Sequence, residues 1–317
     1  MAALPYARNV NRMKKVTILV PCCNEEQVLP LLLRHLFEII ASQNQYRWEI
    51  LFVNDGSTDN TLQLVKSFQK EHNFIHFIDL SRNFGKEIAM MAGLDHVDAD
   101  AVIIMDADLQ HPPQVIPELL HFWEEGFDDV AAQRKSLAEA SLFKNISSKL
   151  YHFILSRAAR TPIQEHVGDF RLLDRICIDA MCQIRDAQRY AKGLYSWIGF
   201  RKKIVMYDEP RRSVGKGKFG VLQLLNLAIE GITSFTITPL RFAFFAGLFF
   251  VFSSLVYLIT NFIIHSTFEL STQSLILFSL FFIGGIQLVA VGILGEYIGR
   301  MFFEAKPRPP YLIREKA

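Results

Sequence analysis

The sequence predicts an α/β protein with a mostly parallel sheet, followed by a membrane part. Short β-rich runs alternate with stretches of helical periodicity over most of the region before Pro239. Polar residues cluster directly after several of the predicted strands. Beyond Pro239, long apolar runs without charge replace this pattern. The change of pattern predicts a large folded domain that precedes a membrane anchor.

The predicted strands are short, and most are followed by a helical pattern. Val16–Val20 is β-rich and is expected to end at Pro21, after which leucines and isoleucines from Leu29 to Ile40 recur at helical spacing. A later helix is expected to begin near Pro112, because proline is tolerated at the first helical position. Further strands are expected at 50–53, 75–80, 102–105 and 130–133, and a further helix at 62–68. Such alternation predicts parallel strands with helices on both faces of the sheet.

The polar clusters follow the ends of the predicted strands. They are Asn24–Glu26, Asn54–Ser57, Ser81–Asn83 and Asp106–Asp108. In sheets of this kind a ligand binds beyond the carboxyl ends of the strands. One such cluster would be an ordinary helix start, but several at the same edge predict a binding site.

Asp106 and Asp108 carry the strongest chemical signal. Mg²⁺ usually takes one or two carboxylates and completes its shell with phosphate oxygens and water. Two carboxylates two residues apart at a strand end suit that need, and a divalent cation can neutralise the charge that builds on a departing diphosphate. The motif alone is weak, since either aspartate could simply cap a helix.

Two uncharged runs, Phe242–Ile264 and Leu275–Gly295, are each about as long as the ~20 residues that a membrane-spanning helix needs. Basic residues flank the pair, and the loop between the runs has none, which predicts that both outer ends are cytoplasmic. The segment Met1–Lys15 is polar and has no signal-peptide core, so we expect the large domain to stay in the cytoplasm. The expected organisation is a catalytic domain at 1–218, an amphipathic juxtamembrane helix at 219–238, a two-helix transmembrane hairpin at 239–299 and a basic cytoplasmic tail at 300–317. A helix packed on the α/β domain remains the alternative for 219–238.

The net charge bears on possible partners, and the cysteines bear on the redox state of the compartment. The formal net charge is +2, which gives no reason to expect a nucleic-acid partner. The four cysteines form no C-x-x-C pair, so we expect reduced thiols in a reducing compartment.

Taken in order, four blocks closely resemble glycosyltransferase family 2. They are Pro21–Glu26, Val53–Asp59, Ser81–Lys86 and Asp106–Pro113. The resemblance implies the GT-A fold, which is Rossmann-like, and inverting transfer of a sugar from a nucleotide sugar with Mg²⁺ or Mn²⁺. Gly168–Leu172, Trp197–Phe200, Arg212–Phe219 and the two-span tail look like the polyprenyl-phosphate branch, which is related to dolichol-phosphate mannose synthase.

Within that branch the chain is most similar to bactoprenol glucosyltransferases. This implies glucose from UDP-glucose as donor and undecaprenyl or another polyprenyl phosphate as acceptor. It also implies a multi-pass protein of the inner membrane, with a cytoplasmic catalytic domain, that forms a homo-oligomer such as a tetramer. The alternative donors are UDP-N-acetylglucosamine, UDP-galactose, UDP-aminoarabinose and GDP-mannose, so the sugar stays open.

The resemblance also implies a role for each matching site residue. Base, ribose and nucleotide contacts are implied for Pro21, Glu25, Val53, Asp55, Asp106 and Ala107. Metal ligation is implied for Asp108 and Gln110, and phosphate contacts for Arg134, Arg212 and Lys218. Asp108, Asp169, Arg212 and Lys218 form the expected catalytic set.

Several of these residues have a structural alternative. Asp55 could form only a local turn, Arg134 could be a solvated residue at a strand end, and Asp169 could be the partner of Arg171. The loop Arg212–Phe219 could bind anionic lipid as well as phosphate. His111 stands where relatives have an acidic residue, and we interpret it as a capping or surface residue.

Three other functions are less well supported by the motifs. A processive polysaccharide synthase would carry Q-x-x-R-W, and none of the three tryptophans has that context. A dinucleotide oxidoreductase would show G-x-G-x-x-G after the first strand, which is absent. A non-catalytic sugar-nucleotide sensor or membrane scaffold is disfavoured by the intact acidic and basic site residues.

Overall fold

A computed structural model of the chain describes residues 12–135, 167–186, 191–208, 272–306 and 308–317. These residues belong to two compact units. The first unit contains the described residues from 12 to 208 together with 308–317, and the second contains those from 272 to 306.

The first unit contains eight described strands that form a single sheet. The strands are β1 (Lys15–Cys22), β2 (Arg47–Asn54), β3 (Ile75–Leu80), β4 (Ala101–Ile104), β5 (Asp129–Arg134), β6 (Val167–Asp174), β7 (Lys202–Tyr207) and β8 (Ile313–Lys316). Their order across the sheet is β7-β5-β6-β4-β1-β2-β3-β8. The pairs β1–β2, β1–β4, β2–β3 and β5–β7 are parallel, whereas β6 is antiparallel to both neighbours and β8 is antiparallel to β3. The prediction of a mostly parallel α/β sheet is confirmed.

Helices cover both faces of this sheet. Those described in the first unit are α1 (Leu29–Ser42), α2 (Thr61–Glu71), α3 (Lys86–His96), α4 (Ile116–Glu124), α5 (Arg175–Gln183) and α6 (Ala191–Trp197). A short 3₁₀ turn, Pro113–Val115, precedes α4 at the place where the proline pair predicts a helix start.

The hydrophobic core lies in two layers because side chains of a strand point alternately to opposite faces. Val16, Ile18 and Val20 of β1 pack with α1, α2 and α4 on one face, while Leu19 packs with α3 and α5 on the other. Each of these side chains is fully buried, which contributes roughly 1.5–3 kcal/mol per side chain relative to exposure. Burial on both faces explains why the central strands read as continuous apolar runs.

β1 extends beyond the expected end at Pro21 and pairs with β2 up to Cys22. The prediction that the strand stops at Pro21 was wrong. On its other side β1 pairs with β4 only from Val16 to Leu19. The missing N–H of Pro21 therefore costs no ladder bond on the β4 side, because that ladder has already ended.

β8 extends the sheet beyond β3, although the sequence analysis placed no strand in residues 300–317. The amide of Ser81 donates to the carbonyl of Leu312 at 2.8 Å. Arg314 lies 3.6 Å from the carboxylate of Asp79, which is only 1% exposed. The short strand thus supplies a cation to a buried acid at the edge of the sheet.

In the second unit the structure describes one helix, α7 (Thr272–Ala305), which contains the predicted second apolar run. Within the described ranges, no helix has the combination of length and apolarity required to span a membrane. The first run, 242–264, and the predicted juxtamembrane helix at 219–238 lie outside the described residues.

Candidate active site

A cavity of about 300 Å³ opens at the carboxyl ends of the parallel strands, where β1 separates β2 from β4. Strand order reverses at this point, which is where open α/β sheets bind ligands. The polar clusters after β1, β2, β3 and β4 all contribute to the cavity. Its lining residues are Pro21, Cys22, Cys23, Glu25, Asp55, Asn83, Gly85, Lys86, Ala89, Asp106, Ala107 and Asp108.

Asp55 connects the loop after β2 to the loop after β3. Its two carboxylate oxygens accept the amides of Phe84 at 2.7 Å and Gly85 at 2.9 Å. Gly56, at φ +63°, packs closely against the loop after β3. A Cβ atom at this position would lie 2.4 Å from the backbone of Arg82 and Asn83. These contacts are long-range, so Asp55 does more than form a local turn. Each oxygen keeps a lone pair for a further donor.

The loop after β1 is attached to the loop after β2. The side-chain oxygen of Asn24, a residue with φ +59°, accepts the amide of Thr58 at 2.8 Å. The next residue, Glu25, donates its amide to the hydroxyl of Thr61 at 2.8 Å. Burial raises the pKa of Glu25, and the negative charges of Asp108 and Asp106 raise it further. Glu25 therefore belongs to the same electrostatic site as the two aspartates.

Asp106, Ala107 and Asp108 follow β4 in a sharp bend. Ala107 is buried, and Leu109 has φ +60°, which is unusual for a leucine. The amide of Gln110 donates to a carboxylate oxygen of Asp108 at 3.1 Å. This local turn directs Asp108 into the cavity rim.

His111 forms a hydrogen bond with the backbone of this bend. The residue is only 8% exposed, and its ring stacks on Phe170, with centroids 5.0 Å apart and an interplanar angle of 12°. The amide of Asp106 donates to Nδ1 at 3.0 Å, which places the ring proton on Nε2 in the neutral form. Burial lowers the pKa of His111. His111 is therefore a buried residue that accepts a backbone amide, not a surface residue.

Asp169 and Arg171, neighbours on one face of β6, have different partners. Asp169 accepts from Lys86 at 2.7 Å. Arg171 pairs with Asp129 at 3.0 Å, donates to the carbonyl of Gly168 and lies over the ring of Tyr195. The ion pair of Arg171 is thus made with Asp129, while Asp169 faces the cavity residue Lys86.

The carboxylates at the rim fit a hard divalent cation in chemical type. Oxygen ligands are those that Mg²⁺ and Mn²⁺ prefer, and the mutual effect of Glu25, Asp106 and Asp108 shows that negative charge accumulates here. In the part of the chain that the structure describes, no three His, Cys, Asp or Glu side chains converge tightly enough to hold an ion alone. In proteins Mg²⁺ commonly completes its shell with substrate oxygens and water.

The structure brings most of the sequence-predicted site residues together. Pro21, Glu25, Asp55, Asp106, Ala107 and Asp108 line the cavity. Val53 is buried in β2 and its carbonyl accepts from the thiol of Cys22 at 3.5 Å. Among the described residues, Arg134 is an exposed residue at the end of β5 and does not line the cavity, and neither does Gln110. Arg212 and Lys218 lie outside the described residues.

Sequence reasoning assigned no role to Lys86, although this residue lines the cavity. Lys86 is the last residue of the block Ser81–Lys86, which follows the predicted strand end at Leu80, and this position was the signal available in the sequence. Its ion-pair partners lie 20 and 83 residues away along the chain and could not be inferred from spacing.

The chain matches two protein-family models and several known glycosyltransferases in sequence. Residues 17–181 match the glycosyl transferase family 2 model, and residues 238–301 match the GtrB C-terminal hairpin model. The chain is 37% identical to the bactoprenol glucosyl transferase of Shigella phage SfX, over 95% of this chain and 99% of that protein. It is 38% identical to an uncharacterized Synechocystis glycosyltransferase, over 95% of each chain.

Among solved structures, glucosyl-3-phosphoglycerate synthase of Mycobacterium tuberculosis aligns with a TM-score of 0.47 and 14% identity, covering 69% of this chain and 75% of that one. The family model and the near-complete relatives settle the class of the protein. The chain belongs to glycosyl transferase family 2 and is a glycosyltransferase.

Proposed function

We propose that the chain transfers a sugar from a nucleoside diphosphate to undecaprenyl phosphate or another polyprenyl phosphate, with inversion at the anomeric carbon. UDP-glucose is the proposed donor. The main support is the acidic cavity at the strand-order reversal, lined by Asp55, Asp106 and Asp108. The proposed acceptor follows from relatives named bactoprenol glucosyl transferase, which align over 95% of the chain.

The chemistry of the acceptor determines which catalytic groups the protein must provide. A phosphomonoester with a second pKa near 6 is already largely ionised at neutral pH, so it attacks with little help from a base. Catalysis then depends on positioning two anionic reactants and neutralising their repulsion. Mg²⁺ or Mn²⁺, held by Asp108 with Gln110, would neutralise the departing diphosphate.

The remaining site residues are assigned to contacts with the nucleotide, the sugar and the phosphates. Pro21, Glu25 and Asp55 contact base and ribose, and the free lone pairs of Asp55 suit uracil or ribose donors. Val53, which is assigned to the same contacts, is fully buried in β2 and would reach the nucleotide only after a local rearrangement. Asp106 and Ala107 contact the nucleotide, and Asp169 orients a sugar hydroxyl or the acceptor. The phosphate contacts are assigned to Arg134, Arg212 and Lys218, of which the described Arg134 lies at the end of β5.

A lipid acceptor places the reaction at the membrane surface. We propose that 1–218 is the cytoplasmic catalytic domain, that 219–238 lies on the inner membrane and that 239–299 forms the two-helix anchor. The match of residues 238–301 to the GtrB C-terminal hairpin supports the anchor. The proposed assembly is a homo-oligomer such as a tetramer.

The decisive experiment is transfer of radiolabel from a panel of UDP- and GDP-sugars to undecaprenyl phosphate. The purified full-length protein is assayed with Mg²⁺ or Mn²⁺, and again with EDTA. We expect a chloroform-soluble, metal-dependent product from UDP-glucose. A product from a different sugar nucleotide would correct the donor, and nucleotide binding without lipid product from any donor would refute the proposed reaction.

Asp108→Ala tests the residue assignment within the same assay. We expect transfer to fall by at least about 100-fold, because stabilisation of the leaving group is lost. Asp98→Ala is the matched control, since Asp98 is exposed and outside the cavity. Normal turnover by a correctly folded Asp108→Ala variant would contradict the assignment.

A further inference from the structure

Lys86 is the one basic side chain among the described residues that line the cavity. The same lining contains four carboxylates, Glu25, Asp55, Asp106 and Asp108. Lys86 begins α3, directly after Gly85, whose amide is held by Asp55. Its backbone is therefore anchored at the cavity wall while its ammonium faces the acidic rim.

The ammonium group bridges two carboxylates that come from different strands. Nζ of Lys86 lies 2.6 Å from Oδ1 and 2.9 Å from Oδ2 of Asp106, which follows β4. It also lies 2.7 Å from Oδ2 of Asp169, on β6. The side chain of Asp169 is 9% exposed and that of Asp106 is 27% exposed, so both acids sit where a counter-charge matters.

Lys86 stays charged in this position. Burial alone would lower its pKa, but the negative charges of Asp169 and Asp106 outweigh that effect and raise the pKa above the ordinary lysine value. An ammonium has three donors and no acceptor. It therefore holds both carboxylates in place and cannot itself act as a base at neutral pH.

Asp108 differs from Asp106 in this respect. In the described residues its carboxylate accepts the amide of Gln110 within its own turn, and no cationic side chain pairs with it. Without Lys86, two carboxylates two residues apart could both bind the same ion. The ammonium of Lys86 neutralises the first and leaves the second with its charge available.

We propose that Lys86 is a positioning residue: it binds Asp106 and Asp169 and thereby leaves Asp108 as the carboxylate that receives the divalent cation. This rests on the proposed function, which assigns the ion to Asp108. It also makes a counterintuitive prediction, because removing a cation from an anionic site should tighten binding of a metal ion.

The test measures binding of Mn²⁺ alone to the full-length protein, by the electron paramagnetic resonance signal of free Mn²⁺. In Lys86→Gln we expect the Kd for Mn²⁺ to fall about tenfold. Lys86→Arg, which keeps the charge, should stay near the wild type. Lys70→Gln, which removes an exposed lysine of α2, is the matched control for net charge. Misfolding would weaken Mn²⁺ binding, so it cannot imitate the expected result.

A second comparison uses changes at Asp106 and Asp108, first in the wild-type background and then with Lys86→Gln. In the wild-type background, Asp108→Asn should abolish Mn²⁺ binding, whereas Asp106→Asn should weaken it only about tenfold, through the loss of one nearby negative charge. In Lys86→Gln, the added Asp108→Asn change should leave measurable Mn²⁺ binding, because Asp106 is then free to bind the ion.

The outcomes separate this proposal from the one before it. Unchanged or weaker Mn²⁺ binding in a folded Lys86→Gln protein, or equal losses in Asp106→Asn and Asp108→Asn, would overturn the role of Lys86 alone. Mn²⁺ binding that survives Asp108→Asn in the wild-type background would instead overturn the metal assignment within the proposed function.

Discussion

Gly56→Ala tests how tightly the loops after β2 and β3 are packed together. Gly56 has φ +63°, and an alanine in this left-handed conformation costs about 1–2 kcal/mol. Its Cβ would also lie 2.4 Å from the carbonyl carbon of Arg82 and from the amide nitrogen of Asn83. Because both contacts are to backbone, no side-chain rotation relieves them, and overpacking of this kind costs about 1–3 kcal/mol. The two terms together predict a loss of roughly 2–5 kcal/mol.

Thermal unfolding and UDP binding together measure this effect. One kcal/mol corresponds to about 2–4 °C for a domain of this size, so the melting temperature should fall by about 4–20 °C. UDP binding should weaken by more than about tenfold, since Asp55 and Asn83 both line the cavity and Asp55 organises the second loop.

Gly199→Ala is the matched control for backbone conformation. Gly199 has φ +71°, and its Cβ would meet only the carbonyl of Trp197 at an ordinary 3.8 Å. We expect this variant to lose about 1–2 kcal/mol and to bind UDP normally. If Gly56→Ala melted at the same temperature as Gly199→Ala and kept its UDP affinity, close packing of the two loops would contribute neither to stability nor to nucleotide binding.

Two further predictions concern ionisable groups that are fully or partly buried. Arg171→Met should destabilise the protein by about 3–5 kcal/mol in a denaturation experiment, because it leaves the buried Asp129 without its closest cation; a shift below about 1 kcal/mol would contradict this. Burial, with the negative charge of Asp95, raises the pKa of Cys182 to about 11, so the thiol is protonated at neutral pH. Its alkylation by iodoacetamide, followed by mass spectrometry, should therefore accelerate about tenfold per pH unit up to near pH 11, and a plateau near pH 9 would show an ordinary thiol.

The central strands and the cavity rim were predictable because local patterns encode them. Ile75–Leu80 was predicted with the bounds that β3 has in the structure, since a short apolar run bounded by polar residues is typical of a buried strand. The polar residues after β1, β2 and β4 were expected at one edge, and the cavity brings Glu25, Asp55, Asp106 and Asp108 together there. Topology alone fixed that outcome, because parallel strands end on the same side.

The antiparallel strands were not predictable from the same patterns. β6 carries Asp169 and Arg171 at buried positions, which obscures its apolar alternation. Their counter-charges, Lys86 and Asp129, come from distant parts of the chain, so nothing local shows that these charges can be buried. β8 has only four residues, and three of them are charged, which favours no strand by periodicity.

The pairing of β8 with β3 has a consequence for how the protein is made. A ribosome completes Ser81 long before Arg314, because 233 residues separate the two. Until then the edge of β3 stays unpaired, and an exposed strand edge invites pairing with other chains. During that interval the buried carboxylate of Asp79 also lacks its ion-pair partner, Arg314. The sheet of the nascent protein can therefore be completed only after the helical segment α7 has been synthesised, so this edge is open to pairing with other chains for most of synthesis.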